Sequence, residues 1–144
     1  MNLGIMYWYI VGMTVWGSIS DIRRKSVSVL FLAVCATGVI PIAFWEKNVS
    51  LSARLFGVLL GGIFLLISRL TKEAIGKGDA AMIGICGGAV GFAVTATILC
   101  AGLMLSSVFS LGLLCFRKAG RKTRIPFFPF LAAGEGVFAL LVLL

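Results

Sequence analysis

Long apolar runs dominate the chain, and short polar clusters separate them. Four runs have clear charged or polar borders: residues 3–20, 27–44, 51–67 and 126–144. A further stretch, residues 80–116, contains no charged residue and is too long for one membrane crossing, which takes about 20 helical residues. We divide it into two helices that turn near Gly87, Gly88 and Gly91. The pattern therefore predicts about six transmembrane helices.

The composition excludes an ordinary soluble domain. Hydrophobic residues make up 60% of the chain and charged residues 12%, whereas soluble domains average about 45–50% and about 25%. Dividing 144 residues by six leaves 24 for each helix and its loop, so no separate soluble domain fits. We expect an all-α polytopic membrane protein with one transmembrane domain over residues 1–144. No cleavable signal peptide is evident, so the first run should remain as a helix.

Basic residues are distributed unevenly between the predicted loops. Loops 1–2, 3–4 and 5–6 share one side and carry three, three and five of them, eleven in all, against Lys47 and Arg54 on the other side. Loops rich in Lys and Arg face the cytoplasm. We expect a multi-pass protein of the cytoplasmic (inner) membrane with its N-terminus outside. Because the basic clusters are short and not interleaved with aromatic residues, the net charge of +8 does not indicate nucleic-acid binding.

The sequence contains no histidine. His-based triads, His proton relays and His-containing metal sites are therefore excluded. The four cysteines form no Cys-x-x-Cys pair and lie inside apolar runs, where we interpret them as small apolar helix residues. We predict no metal and no other cofactor.

Two of the five acidic residues stand out by their positions. Asp21 ends the first apolar run and Asp79 precedes the fourth, so alternating helices place both near the cytoplasmic face. Acidic residues at membrane helices are costly and usually functional. Asp21 alone would fit a solvated residue at the interface. Two carboxyl groups at one level, however, can share a proton, so that one activates a water molecule while the other acts as an acid.

Asp79 closes the sequence Gly76-Lys77-Gly78-Asp79 at a predicted loop-to-helix junction. Glycines there can adopt positive φ and allow close approach to a substrate. The pattern is short, and a flexible turn with an aspartate that caps the helix also accounts for it. The positive end of the helix dipole would favour the ionised form of this aspartate.

Three segments, taken together, resemble the type IV prepilin peptidases, which are membrane aspartic peptidases of the Gly-x-Gly-Asp kind. They are residues 20–25 (Ser-Asp-Ile-Arg-Arg-Lys), residues 76–79 and residues 125–134 (Ile-Pro-Phe-Phe-Pro-Phe-Leu-Ala-Ala-Gly). The third is close to the family's Pro-Phe-x-Pro-Phe-Leu-x-x-Gly and is the most specific, because two prolines and three aromatic residues rarely share this spacing by chance. A helix begun by proline, with interfacial aromatic residues, is the plainer interpretation.

The resemblance implies an endopeptidase that removes the short basic leader of type IV pilin-like precursors at the cytoplasmic face. It implies Asp21 and Asp79 as the catalytic pair, and precursors and the lipid bilayer as partners. Seven further residues would bind substrate or support the site: Gly76, Lys77, Gly78, Pro126, Phe127, Pro129 and Phe130.

The sequence also departs from the family pattern. Residues 26–28 (Ser-Val-Ser) stand where Ile-Pro-Asn is common, and residues 80–82 (Ala-Ala-Met) follow the second aspartate where a lysine is often near. The chain lacks the N-terminal cytoplasmic insert of members that also methylate. It therefore resembles the short, peptidase-only type found with Flp/Tad-like pili, and archaeal preflagellin peptidases share this layout.

Glu135 does not match the family pattern. It lies nine residues after Pro126 (135 − 126), about 13 Å along a helix. A carboxyl group at that depth is protonated or bonded to a neighbour. We expect a structural role for Glu135.

A different class of protein fits the composition and topology equally well. It is a non-enzymatic six-helix scaffold or a small transporter. Only the two aspartates and the three segments argue against this alternative. Activity after mutation of the aspartates therefore distinguishes the two.

Overall fold

The computed structural model describes residues 4–24, 29–45, 47, 49–71, 76–115 and 127–144. The elements in these ranges are six α-helices: α1 Ile5–Arg24, α2 Val29–Trp45, α3 Leu51–Leu70, α4 Lys77–Val90, α5 Phe92–Cys115 and α6 Phe128–Leu143. The four bordered runs each correspond to one helix, and the long uncharged stretch corresponds to two, α4 and α5. Within the described residues, the all-α class is confirmed.

Two helices in this part of the chain are long and apolar enough to cross a membrane. They are α3 over Leu51–Leu70 and α5, of which Phe92–Leu113 qualifies. Shorter apolar helices cover Val29–Ala43 and Phe128–Leu143. Large apolar side chains are also exposed on the surface of the bundle, among them Leu59 and Ile63 of α3 and Val108 of α5. An outer surface with so many exposed apolar residues suits hydrocarbon better than water.

Gly91 separates α4 from α5. Its φ is 86°, and it is the one glycine with positive φ in the described ranges; L-residues rarely adopt this conformation. The predicted turn in the long apolar stretch therefore lies at Gly91, whereas Gly87 and Gly88 belong to α4. Arg54 of α3 closes this end of α4, because its Nη1 donates to the carbonyl oxygens of Gly88 and Ala89, each at 3.1 Å.

Four glycines bring the backbones of α3 and α4 together: Gly57 and Gly61 of α3, and Gly84 and Gly87 of α4. We call this the α3–α4 glycine contact. A Cβ on Gly57 would lie 2.3 Å from the carbonyl oxygen of Gly87, and a Cβ on Gly61 would lie 2.2 Å from Cα of Gly84. Any side chain would force the two backbones apart. Small residues at four-residue spacing commonly pair helices in membranes, where lipid removes the hydrophobic driving force. The contact holds α4 against α3.

Helix α4 lies at the centre of the bundle and contacts α1, α2, α3 and α5. Half of its residues are buried, and its inward face meets apolar side chains of α1 and α6. The core side chains of these three helices are Met6, Ile10, Met82, Ile83, Cys86, Ala89, Phe128 and Leu131. Because α1, α4 and α6 share this core, their ends are held in fixed relation to one another.

Candidate active site

Asp21 lies in the last turn of α1 and is only 8% exposed. The backbone N–H of Phe128, the first residue of α6, faces its carboxylate and favours the ionised form, which works against the rise in the pKa of Asp21 that burial causes. The first N–H groups of a helix have no partner within that helix. Asp21 therefore provides an acceptor from another helix, and it joins the first of the three family-like segments to the third.

Phe128 packs its ring against α1 one turn before Asp21. A Cβ on Gly17 would lie 2.7 Å from Cε1 of this ring, and Phe128 has no exposed surface. Phe127 and Phe130, by contrast, are only partly buried. Phe128 is not among the predicted site residues, because the family pattern allows any residue at its position. Phe128, Leu131 and Glu135 are three and four residues apart, which is the spacing of residues on one face of a helix. This pattern would have indicated that Phe128 faces inward.

Asp79 lies in the first turn of α4 and is partly buried. Its carboxylate lies over Gly76, because a Cβ built on Gly76 would be 2.7 Å from Oδ2 of Asp79. Gly76 is the N-cap residue with φ of −59°, so the expectation of positive φ there is wrong. Asp79 is not the cap residue either. Glycine at position 76 instead leaves room for the Asp79 carboxylate.

The two aspartates lie at the same end of the bundle and interact electrostatically. Both lie outside the apolar runs 3–20 and 80–116. Burial raises the pKa of Asp79, and the nearby charge of Asp21 raises it further. Burial also raises the pKa of Asp21, but the N–H of Phe128 opposes that rise. Both burial and the neighbouring charge therefore act against the ionised form of Asp79, whereas the Phe128 N–H favours the ionised form of Asp21.

Two effects oppose the helix dipole, which is expected to favour an ionised Asp79. Removal from water and a second carboxylate both disfavour the charged form, and they raise the pKa of Asp79. This is the electrostatic arrangement that general acid–base chemistry requires, with two carboxyl groups whose surroundings separate their proton affinities.

The other predicted site residues lie near this end of the bundle, with one exception. Lys77 is exposed and Gly78 is partly buried, both in the first turn of α4. Pro129 and Phe130 are partly buried in the first turn of α6. Pro126 lies outside the described residues, as do residues 116–125, which include the last basic loop. Within the described ranges, no group of three or more His, Cys, Asp or Glu residues is arranged to hold a metal ion.

Glu135 lies away from the aspartates, inside the bundle on α6. Its side chain has no exposed surface. The Thr14 hydroxyl of α1 is hydrogen-bonded to its Oε2. The expectation that this carboxyl group is bonded to a neighbour is therefore confirmed.

Comparison with known proteins gives one match. The sequence model of the type IV leader peptidase family matches residues 8–116, which is more than half of the 144 residues. The matched range contains both aspartates and ends before the segment 125–134. No curated protein and no solved structure matches the chain.

Proposed function

The chain belongs to the type IV leader peptidase family, and from this premise we propose that it is an aspartic endopeptidase. Its substrates are type IV pilin-like precursors, from which it removes the short basic leader. The observation that carries the proposal is that Asp21, in the last turn of α1, lies close enough to Asp79, in the first turn of α4, for its charge to raise the pKa of Asp79. The two groups come from different helices, so only the folded bundle brings them to the same end.

In the proposed reaction, Asp21 is the general base and Asp79 the general acid. The ionised Asp21 takes a proton from a water molecule, whose oxygen attacks the scissile carbonyl carbon. Asp79 gives its proton to the carbonyl oxygen as the tetrahedral intermediate forms. When the intermediate collapses, the C–N bond breaks and Asp21 gives the proton it took from water to the leaving nitrogen. One hydroxyl group of the intermediate returns its proton to Asp79 as the new carboxylic acid forms, so both aspartates regain their starting protonation states. This division follows from the Phe128 N–H, which supports charge on Asp21, and from the burial of Asp79.

We place this site at the cytoplasmic face of a six-span protein. The last turn of α1, the first turn of α4 and the first residue of α6 lie together, which is the arrangement expected of alternating spans. The positive-inside distribution of eleven basic residues against two then orients the bundle. A tag next to Lys47 should be accessible from outside, and a tag between residues 117 and 124 only from inside. Reversed accessibility would overturn the orientation.

The test of the catalytic pair is substitution of each aspartate by asparagine. Asp21→Asn and Asp79→Asn preserve shape but remove the proton chemistry, so each should lower turnover by about 10²–10⁴-fold. The double variant should be scarcely worse, because groups that act as a unit are strongly non-additive. The measurement is the size shift of a co-expressed precursor that has a basic leader before its hydrophobic helix. Membrane accumulation of each variant is measured alongside.

Glu73→Gln is the matched control, since the sequence places this acid in the loop between α3 and α4. It should cleave at the wild-type rate. Wild-type activity should fall at both low and high pH, because the pair works with one proton. Since burial raises both pKa values, the acidic limb should lie above the usual carboxyl range. Wild-type cleavage by Asp79→Asn would reject the two-aspartate mechanism, and absence of cleavage by the unaltered protein would favour a scaffold or transporter.

A further inference from the structure

One face of α1 carries polar residues at intervals of seven. Tyr7, Thr14 and Asp21 lie two helical turns apart, so they share a face. On α6, Phe128 and Glu135 are also seven residues apart. Two pairs of residues connect these faces. Asp21 lies against the N–H of Phe128, and Thr14 is hydrogen-bonded to the Glu135 carboxyl group. We call these two pairs the α1–α6 polar contact.

Tyr7 adds a third connection between α1 and α6, two helical turns before Thr14. Its hydroxyl donates to the backbone carbonyl oxygen of Glu135. Its ring packs against Phe138, with ring centroids 5.8 Å apart. Directional contacts therefore join α1 to α6 along about four turns of α1, from Tyr7 to Asp21, and they allow one register.

The Thr14 hydroxyl lies within hydrogen-bond distance of three acceptors. They are Oε2 of Glu135 and the carbonyl oxygens of Ile10 and Val11, the last two at 3.1 and 3.0 Å. The buried Oε1 of Glu135 has no hydrogen-bond partner among the described residues, so Oε2 is the atom through which this carboxyl group joins α6 to Thr14.

We propose that Glu135 is a positioning residue for Asp21. Through its hydrogen bond with Thr14, Glu135 fixes the rotation of α1 and so holds Asp21 at the start of α6. The proposal rests on the proposed function. Successive residues of a helix differ by about 100° in direction, so a small rotation of α1 would move Asp21 off the Phe128 N–H. Lipid-embedded helices associate through van der Waals packing and interhelical hydrogen bonds. The hydrogen bond between Thr14 and Glu135, on the same face as Asp21, opposes that rotation.

The test compares Glu135→Gln with Glu135→Leu in the full-length protein. The glutamine amide can donate to Thr14, so Glu135→Gln should retain the wild-type kcat. Leucine fills similar space without a hydrogen bond, so Glu135→Leu should lower kcat by about 10–100-fold with KM unchanged, because misplacement by about 1 Å can cost about 10²-fold. The rate is expressed per folded molecule, with a precursor of the kind described above.

Thr14 supplies the second arm of the test. Thr14→Ser should behave as wild type, and Thr14→Val should lose as much kcat as Glu135→Leu. The double variant Thr14→Val/Glu135→Leu should lose no more than either single one. Matched controls are Val15→Ala and Val137→Ala, at exposed neighbouring positions of the same helices, and they should leave kcat unchanged.

A wild-type kcat in folded Glu135→Leu would overturn the proposal, as would loss of kcat in Glu135→Gln. A purely structural role would reduce the amount of folded protein and leave the rate per folded molecule intact. If Glu135→Leu does not accumulate, the kcat of Thr14→Val decides. Failure of the proposed function has a different signature, since Asp79→Asn would then still cleave the precursor.

Discussion

The α3–α4 glycine contact and the α1–α6 polar contact each hold one of the two aspartates, but by different means. Helices α3 and α4 meet backbone to backbone, and a Cβ at Gly61 would lie 2.2 Å from Cα of Gly84. Helices α1 and α6 meet through side chains, with Thr14 hydrogen-bonded to Glu135 and the Phe128 ring against Gly17. The first contact has no atom that can move aside, whereas the second can adjust.

The difference shows which property each contact controls. Backbone packing through glycine sets how close two helices lie, because the limit is the van der Waals radius of main-chain atoms. Hydrogen bonds between side chains set rotation and register, because donors and acceptors must be aligned. The position of Asp79 thus depends on the distance between α3 and α4, and the position of Asp21 depends on the rotation of α1 against α6.

Among the variants that test this comparison, Gly61→Ala should have the largest effect on stability. Gly61→Ala places a methyl group against the backbone of Gly84, so it should lower the free energy of unfolding by about 1–3 kcal/mol. Gly62→Ala is the matched control on the next residue, where a Cβ would meet nothing within 4 Å. It should be neutral or slightly stabilising, since alanine is the better helix former. Thermal unfolding in detergent measures both, and equal Tm values would contradict the packing argument.

A smaller effect is expected at Gly17. In Gly17→Ala the new methyl group meets the Phe128 ring, with Cε1 at 2.7 Å, and a ring can yield where a backbone cannot. The expected loss of stability is about 1 kcal/mol, the lower end for overpacking. Because Phe128 is fully buried, we expect part of the shift to reach its backbone and move the N–H relative to Asp21, so kcat should also fall. Gly12→Ala, with nothing within 4 Å of its Cβ, is the control.

These two variants should differ in kind as well as in size. Gly61→Ala should act mainly on stability, and Gly17→Ala on rate per folded molecule. Measurement of both quantities for both variants tests the distinction directly. If Gly17→Ala were the more destabilising of the two, the side-chain contact would be the stiffer one and the comparison would be reversed.

Several features could be predicted from the sequence because they depend on residues close together in the chain. Hydrophobic runs predicted six helices, and the runs correspond to α1–α6. A glycine in the long uncharged stretch predicted the turn, which lies at Gly91. The resemblance to the peptidase family rested on three short segments, and the family match to residues 8–116 confirms that family.

Only the tertiary structure decided how distant segments meet. The sequence marked Gly76 as a source of positive φ, yet its use is the space it leaves for the Asp79 carboxylate. Phe128 occupied a variable position of a motif, yet its N–H reaches Asp21, 107 residues away (128 − 21). In the sequence Glu135 is an isolated acidic residue, whereas in the structure it is hydrogen-bonded to Thr14 of α1. A periodic pattern determines where a helix forms and which face is apolar, but its rotation and register against a partner depend on contacts that exist only once both helices are packed.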